Sequence, residues 1–197
     1  QTNAQNTSLK TWVGVSYEQK VKIKKFKFKV SAEQQFRVSN LLYTPSYRAL
    51  TEIGVSKKIT DFYKIGLSYR ASYVGGFKNR LSLNNGFKVV KDDFTFSFRL
   101  KYQAEFEKRE AFSQDFRLKT TIEYKANKDF RPYVFGEILY NNTYNFSNFN
   151  EYRAGLGLDA DYKKDHQFDI GLFYTRDLNL ENPGQSIVLS LAYKFSR

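Results

Sequence analysis

One stretch of the sequence decides the fold: Phe94-Thr95-Phe96-Ser97-Phe98-Arg99-Leu100-Lys101-Tyr102-Gln103-Ala104-Glu105-Phe106. Every second residue is apolar, and every residue between is polar or charged. Because successive side chains of an extended strand point to opposite faces, this segment forms a strand with one apolar and one polar face. It is long enough to cross a bilayer when tilted, which takes about 9–11 residues.

The same alternation recurs in eleven segments along the chain. This repetition is typical of a transmembrane β-barrel, whose strands turn apolar residues to lipid and polar residues to the lumen. We therefore predict an all-β, antiparallel, up-and-down transmembrane barrel. Because bacterial single-chain barrels normally have an even number of strands, we expect twelve strands, with ten as the second choice.

The 197 residues are enough for one domain. We expect a short polar tail over residues 1–8 and a single barrel domain over residues 9–197, with the first strand over 9–19. The sequence contains no Met, and we interpret it as a mature secreted chain whose signal peptide has been removed.

The connections between the predicted strands alternate in length, as they do in outer-membrane barrels. Short connections are predicted near residues 20–25, 57–61, 91–93, 126–131 and 163–166. Longer connections are predicted near residues 39–46, 107–114, 141–150 and 177–185. The short turn at 20–25 would make the first strand begin at the end that carries the long loops.

A soluble β-sandwich also alternates, but its apolar face points inward. Two features favour the membrane barrel instead. Aromatic residues make up 18% of the chain and lie at both ends of the apolar faces, as Tyr63 and Tyr73 do, which fits the aromatic girdles of such barrels. The segment Tyr193-Lys194-Phe195 resembles, two residues early, the aromatic-x-Phe signal at the C-termini of outer-membrane barrels.

The net charge of +12 is compatible with nucleic acid or with an anionic lipid surface. The aromatic residues share a face with Leu, Ile and Val, not with the cations, so no stacking platform for nucleic acid is predicted. We expect outer-membrane lipid and lipopolysaccharide as partners, no nucleic-acid partner, and a location in the bacterial outer membrane.

Several short segments resemble a family of uncharacterised small outer-membrane β-barrels from Gram-negative envelopes, known only as a domain of unknown function. These segments are Trp12 before Glu18, Glu33 to Arg37, Gly66-Leu67-Ser68-Tyr69-Arg70, Arg99 to Tyr102, and Pro132-Tyr133 leading to Glu137. The resemblance implies the barrel fold. It implies no activity, because the family has none assigned.

The polar phase of the strands supplies the candidate lumen-lining and binding residues. These are Arg37, Glu52, Arg70, Arg99, Glu123, Glu137, Arg153 and Asp159. In a narrow barrel an unpaired buried charge is costly, whereas paired and hydrogen-bonded charges are tolerated. Two interpretations stay open: a salt-bridged plug that fills the interior, or a polar conduit whose surplus cations favour anions.

No catalytic residue, metal ligand or cofactor site is predicted. The single histidine, His166, lies in a short turn and is expected to be solvated. The first functional hypothesis is a narrow, weakly anion-favouring pore. The second is a non-conducting structural or accessory barrel that docks another outer-membrane protein. An enzyme acting on outer-leaflet lipid is not expected.

Overall fold

A computed structural model describes residues 7–41, 44–73, 76–107, 113–143, 146–178 and 183–197. The described residues form eleven strands. Their bounds are β1 Thr7–Ile23, β2 Phe26–Ser39, β3 Ser46–Lys58, β4 Tyr63–Tyr73, β5 Phe77–Lys91, β6 Phe94–Glu107, β7 Ser113–Tyr124, β8 Phe130–Thr143, β9 Phe146–Tyr162, β10 His166–Asp177 and β11 Gln185–Ser196. Within these ranges no helix is long and apolar enough to cross a membrane.

The strands close into one barrel in chain order. Each strand pairs antiparallel with its sequence neighbours, and the barrel closes through a parallel pair of β1 and β11, which runs from Thr7↔Gln185 to Glu18↔Ser196. The predicted closed, antiparallel-dominated β-barrel is confirmed. The eleven strands lie between the expected twelve and the second choice of ten. Because the number is odd and sequence neighbours pair antiparallel, the first and last strands run in the same direction.

Because β1 and β11 are parallel, β1 begins at one end of the barrel and β11 ends at the opposite end. One end of the barrel, which we call the turn rim, carries the connections over residues 24–25, 59–62, 92–93, 125–129 and 163–165. Lys24, Asp92 and Lys163 adopt positive φ angles of 52°, 53° and 58° in these tight turns. β1 begins at the opposite end, the loop rim, as the Lys-rich turn predicted.

One predicted loop is wrong. Residues 141–150 are mostly strand, since β8 continues to Thr143 and β9 begins at Phe146, with a β-bulge between Leu139 and Tyr140. The Asn-rich composition disfavours strands, but pairing with β7 outweighs it. The side chain of Asn141 donates hydrogen bonds to Ser113 Oγ at 3.0 Å and to Asp115 Oδ1 at 2.6 Å.

The outer surface of the barrel is apolar, and the inner surface is polar. Leu156, Ile170 and Val15 each expose more than half of their surface on the outside. Ser82 and Gln103 are almost fully buried on the inside. This distribution is the reverse of that in a soluble barrel, where burial favours apolar side chains.

Aromatic rings on the outer face lie in two bands. Near the turn rim, Tyr63 stacks on Phe87 with ring centres 4.9 Å apart, and Phe94 contacts Tyr124 at 5.1 Å. Near the loop rim, other pairs join neighbouring strands: Tyr102 with Phe116, Tyr73 with Phe77, and Tyr152 with Tyr174. Cross-strand aromatic pairs of this kind stabilise sheets.

Candidate functional site in the barrel interior

The strand register places all eight predicted lumen residues on the inner face. They are Arg37 on β2, Glu52 on β3, Arg70 on β4, Arg99 on β6, Glu123 on β7, Glu137 on β8, and Arg153 and Asp159 on β9. The structure brings most of them into three groups of ion pairs. Arg37 lies apart from these groups and contacts an aromatic ring.

The first group is centred on Glu137, which is nearly inaccessible to solvent with 4% of its side chain exposed. Its carboxylate accepts hydrogen bonds from Arg117 at 2.8 Å, Arg153 at 3.2 Å and Arg99 at 3.3 Å. Arg153 also binds Glu151 through two hydrogen bonds, of 2.6 and 3.1 Å. Three guanidinium groups therefore share one buried carboxylate, so positive charge is in excess at this level of the lumen.

The second group lies on the wall formed by β3 to β6. Arg70 contacts Glu52 at 2.6 Å, and Lys101 lies 3.7 Å from the other carboxylate oxygen of Glu52. One strand pair further along, Arg80 binds Glu105. Arg70 and Arg80 pair with carboxylates on adjacent strands, whereas Lys101 on β6 reaches Glu52 on β3 past β4 and β5. Buried charges that are paired in this way are tolerated.

The third group lies toward the turn rim on β7 to β10 and is acidic. Arg131 binds Asp161 and lies 3.8 Å from Glu123. Asp159 occupies the register position directly opposite Asp169, and the hydroxyl of Tyr133 donates to Asp169 Oδ2 at 2.8 Å. The described residues contain no cluster of three or more His, Asp or Glu side chains able to hold a metal ion.

Aromatic side chains also enter the interior. The ring of Trp12 contacts Phe173 edge-on at 5.1 Å, and Phe173 contacts Phe135 at 5.6 Å. Arg37 stacks on Trp12, with its guanidinium carbon 3.8 Å from the ring centre. Such a cation–π contact stabilises the cation in the absence of a carboxylate.

Two glycines on β9 make room for these rings. A Cβ atom on Gly155 would lie 2.6 Å from the carbonyl oxygen of Leu172 and would collide with Phe173. A Cβ atom on Gly157 would collide with the ring of Tyr133. The small residues of β9 therefore serve the packing of inward-facing aromatic side chains, a role that the sequence alternation did not reveal.

His166 differs from its expectation. It is the first residue of β10 and points outward, half-buried among the rings of Tyr162, Tyr193 and Phe195. Its Nδ1 atom lies 2.6 Å from the hydroxyl of Tyr193. The side chain therefore belongs to the aromatic band near the turn rim, and it is not a freely solvated turn residue.

Fold and interior together define the class: a closed β-barrel with an apolar outer surface and a polar, ion-paired interior. The chain matches, over residues 9–184, the family described as "Protein of unknown function (DUF2490)", and it therefore belongs to that family. No curated protein matches the chain. The expected membership in a family of unknown function is confirmed.

Proposed function

We propose that the chain is an integral β-barrel of the bacterial outer membrane and forms a narrow, weakly anion-favouring pore. The observation that carries the membrane location is the inside-out distribution of polarity. Large apolar side chains are exposed around the outside, while ionised groups are buried within. Exposed apolar patches of this extent are not stable in water but are matched by lipid.

The preference for anions follows from the charges that line the interior. Arg99, Arg117 and Arg153 share Glu137, so this group carries more positive than negative charge even when Glu151 is counted. Lys119 lies over the ring of Phe135 at 4.0 Å without a carboxylate within 4.0 Å in the described part of the chain. Rings of cationic side chains favour anions in narrow pores.

A second function is favoured by the packing around the same residues. The buried Glu137 group and the contact between Trp12 and Phe173 lie next to each other in the interior, because Phe173 also contacts Phe135 on β8 and Arg153 lies 5.5 Å from the ring of Trp12. Eleven strands enclose an interior only somewhat wider than the eight-stranded barrels that side chains fill. The alternative is therefore a non-conducting barrel that docks another outer-membrane protein.

Conductance of the purified chain in planar bilayers tests the pore, once heat-modifiability on gels has shown that it is folded. We expect discrete steps with a preference for chloride over potassium. Arg99→Glu should shift the reversal potential toward cations, because 46% of this inward-facing side chain is exposed. Arg176→Glu reverses the same charge on the outer face of β10 and should leave selectivity unchanged. A folded but silent barrel would favour the docking alternative.

The proposal assigns no catalytic activity to the chain. His166, the single histidine, points away from the lumen and hydrogen-bonds with Tyr193. An outer-leaflet lipid enzyme that used this histidine would lose activity in His166→Ala, and we expect no such activity to lose. The expected partners are outer-membrane lipid and lipopolysaccharide on the apolar belt, with no nucleic acid.

A further inference from the structure

The turn rim contains a cavity of about 750 Å³ between the ends of β1 to β6. We call it the basic vestibule, after the cationic side chains that line it: Lys20, Lys22, Lys27, Lys29, Lys58, Lys64, Lys88 and Arg99. Asp61 is the only acidic residue among the described residues that line it. Its volume lies in the range of pockets that bind small molecules, about 300–1,000 Å³.

The register places these lysines in direct opposition. Lys20 faces Lys29 and Lys22 faces Lys27 across β1 and β2, and Lys58 faces Lys64 across β3 and β4. Like charges directly opposite each other on a strand pair destabilise a sheet. Three such pairs on one wall oppose the stability of the barrel.

Neighbouring carboxylates offset only a small part of this repulsion. Lys29 binds Glu18 at 2.7 Å, and Lys58 binds Asp61 at 2.8 Å. The hydrogen bond from Lys58, together with the charge of this lysine, lowers the pKa of Asp61.

The remaining lysines of the vestibule are Lys20, Lys22, Lys27, Lys64 and Lys88. No carboxylate within the described ranges lies within 4.0 Å of any of their ammonium groups. The vestibule therefore carries a large excess of positive charge.

We propose that the basic vestibule binds a ligand carrying at least two phosphate groups. Lysine ammonium groups bind phosphate as mobile point charges, and several lysines that converge on one cavity fit several phosphates better than one carboxylate. The phosphates belong either to a soluble compound or to the head groups of anionic lipid at the membrane surface. The site shares Arg99 with the proposed pore, but it does not depend on conduction, because it would bind phosphate equally in a closed barrel.

Isothermal titration calorimetry of the full chain in neutral detergent, with tripolyphosphate as the probe, tests the site. We expect saturable binding that weakens at least tenfold in the triple variant Lys22→Gln, Lys27→Gln, Lys64→Gln. The control removes the same charge from Lys91, Lys125 and Lys128, which lie at the same rim outside the cavity lining, and should bind as the parent does. Heat-modifiability on gels shows that each variant is folded.

Thermal unfolding gives a second readout that separates this site from non-specific charge attraction. Tripolyphosphate should raise the Tm of the parent and of the control variant but not that of the vestibule variant. Equal loss of binding in the two triple variants would overturn the proposal, because net charge alone would then explain the affinity.

A third experiment, with lipids as probes, identifies the source of the phosphate. Native mass spectrometry compares retention of cardiolipin, which carries two phosphate groups, with that of phosphatidylcholine, which carries no net charge. Selective retention that falls in the vestibule variant and competes with tripolyphosphate assigns the site to lipid head groups. Tripolyphosphate binding without such retention assigns it to a soluble phosphorylated compound. Absence of binding by both probes would overturn the proposal.

Discussion

Glu137→Gln is the substitution with the most specific expected effect on stability. The change removes one negative charge from a side chain that is 96% inaccessible and leaves three guanidinium groups without their shared partner. The loss of the Glu137 charge affects the three arginines unequally. Arg153 keeps Glu151, and Arg99 is 46% exposed and can turn to water. Arg117, with 13% of its side chain exposed, has no other carboxylate within 4.0 Å among the described residues.

The expected loss of stability follows from Arg117, the one cation that Glu137→Gln leaves unpaired. Removing one partner of a buried ion pair costs about 3–5 kcal/mol. Because only Arg117 remains fully uncompensated, we expect the free energy of unfolding to fall by about 3 kcal/mol, at the lower end of that range. The Nε atom of Arg117 is already buried without a hydrogen-bond partner in the described part of the chain, so rearrangement offers little relief.

Urea unfolding in lipid vesicles, followed by tryptophan fluorescence and by gel mobility, measures the change. Asp93→Asn removes an exposed carboxylate from the turn between β5 and β6 and serves as the control with unchanged stability. The double variant Glu137→Gln, Arg117→Met should recover most of the loss, since it removes the unpaired cation together with its partner. A loss below about 1 kcal/mol in Glu137→Gln, or no recovery in the double variant, would refute this reasoning.

Two further predictions test the packing and the membrane location. Gly155→Ala should destabilise the barrel by about 1–3 kcal/mol or more, because its Cβ would lie 2.6 Å from the carbonyl oxygen of Leu172; Gly136→Ala, whose Cβ meets nothing within 4 Å, should be tolerated in the same unfolding assay. Leu156→Arg should cost about 2–4 kcal/mol in lipid but Tyr162→Arg only about 0–1 kcal/mol. These two outward residues of β9 are almost equally exposed, at 59% and 58%, and equal costs would contradict a bilayer around the barrel.

The faces of the strands were predictable from the sequence, because alternation with a period of two depends only on local geometry. It assigned Arg99 and Arg153 to the interior, and it did so even for Glu137 on β8, where Tyr133 and Phe135 interrupt the polar phase. The choice of partners was not predictable. Arg99 and Glu137 belong to strands separated by β7, and their contact depends on register and barrel curvature, which alternation does not encode.

The lysines of the turn rim also show which features the sequence could predict and which it could not. The sequence places Lys20, Lys22, Lys27 and Lys29 near a predicted short turn. Only the two-residue turn between β1 and β2 sets the register in which Lys22 faces Lys27 and Lys20 faces Lys29. The cavity is also lined by residues of β3 to β6, the first of which begins at Ser46. Because these strands are distant in sequence from β1 and the start of β2, no local pattern could reveal the cavity.

The parallel pair of β1 and β11 has a consequence for re-engineering the chain. In a barrel closed by an antiparallel pair, the outer ends of the first and last strands lie side by side, so a short linker can join them and new termini can be opened elsewhere. Here β1 begins at the loop rim and β11 ends at the turn rim. The twelve residues of β11, at about 3.3 Å each, give a separation of ~40 Å along the strand. A circular permutant would need a linker that spans this height through the polar lumen or along the apolar outside, so the order of strands in this chain cannot be rotated freely.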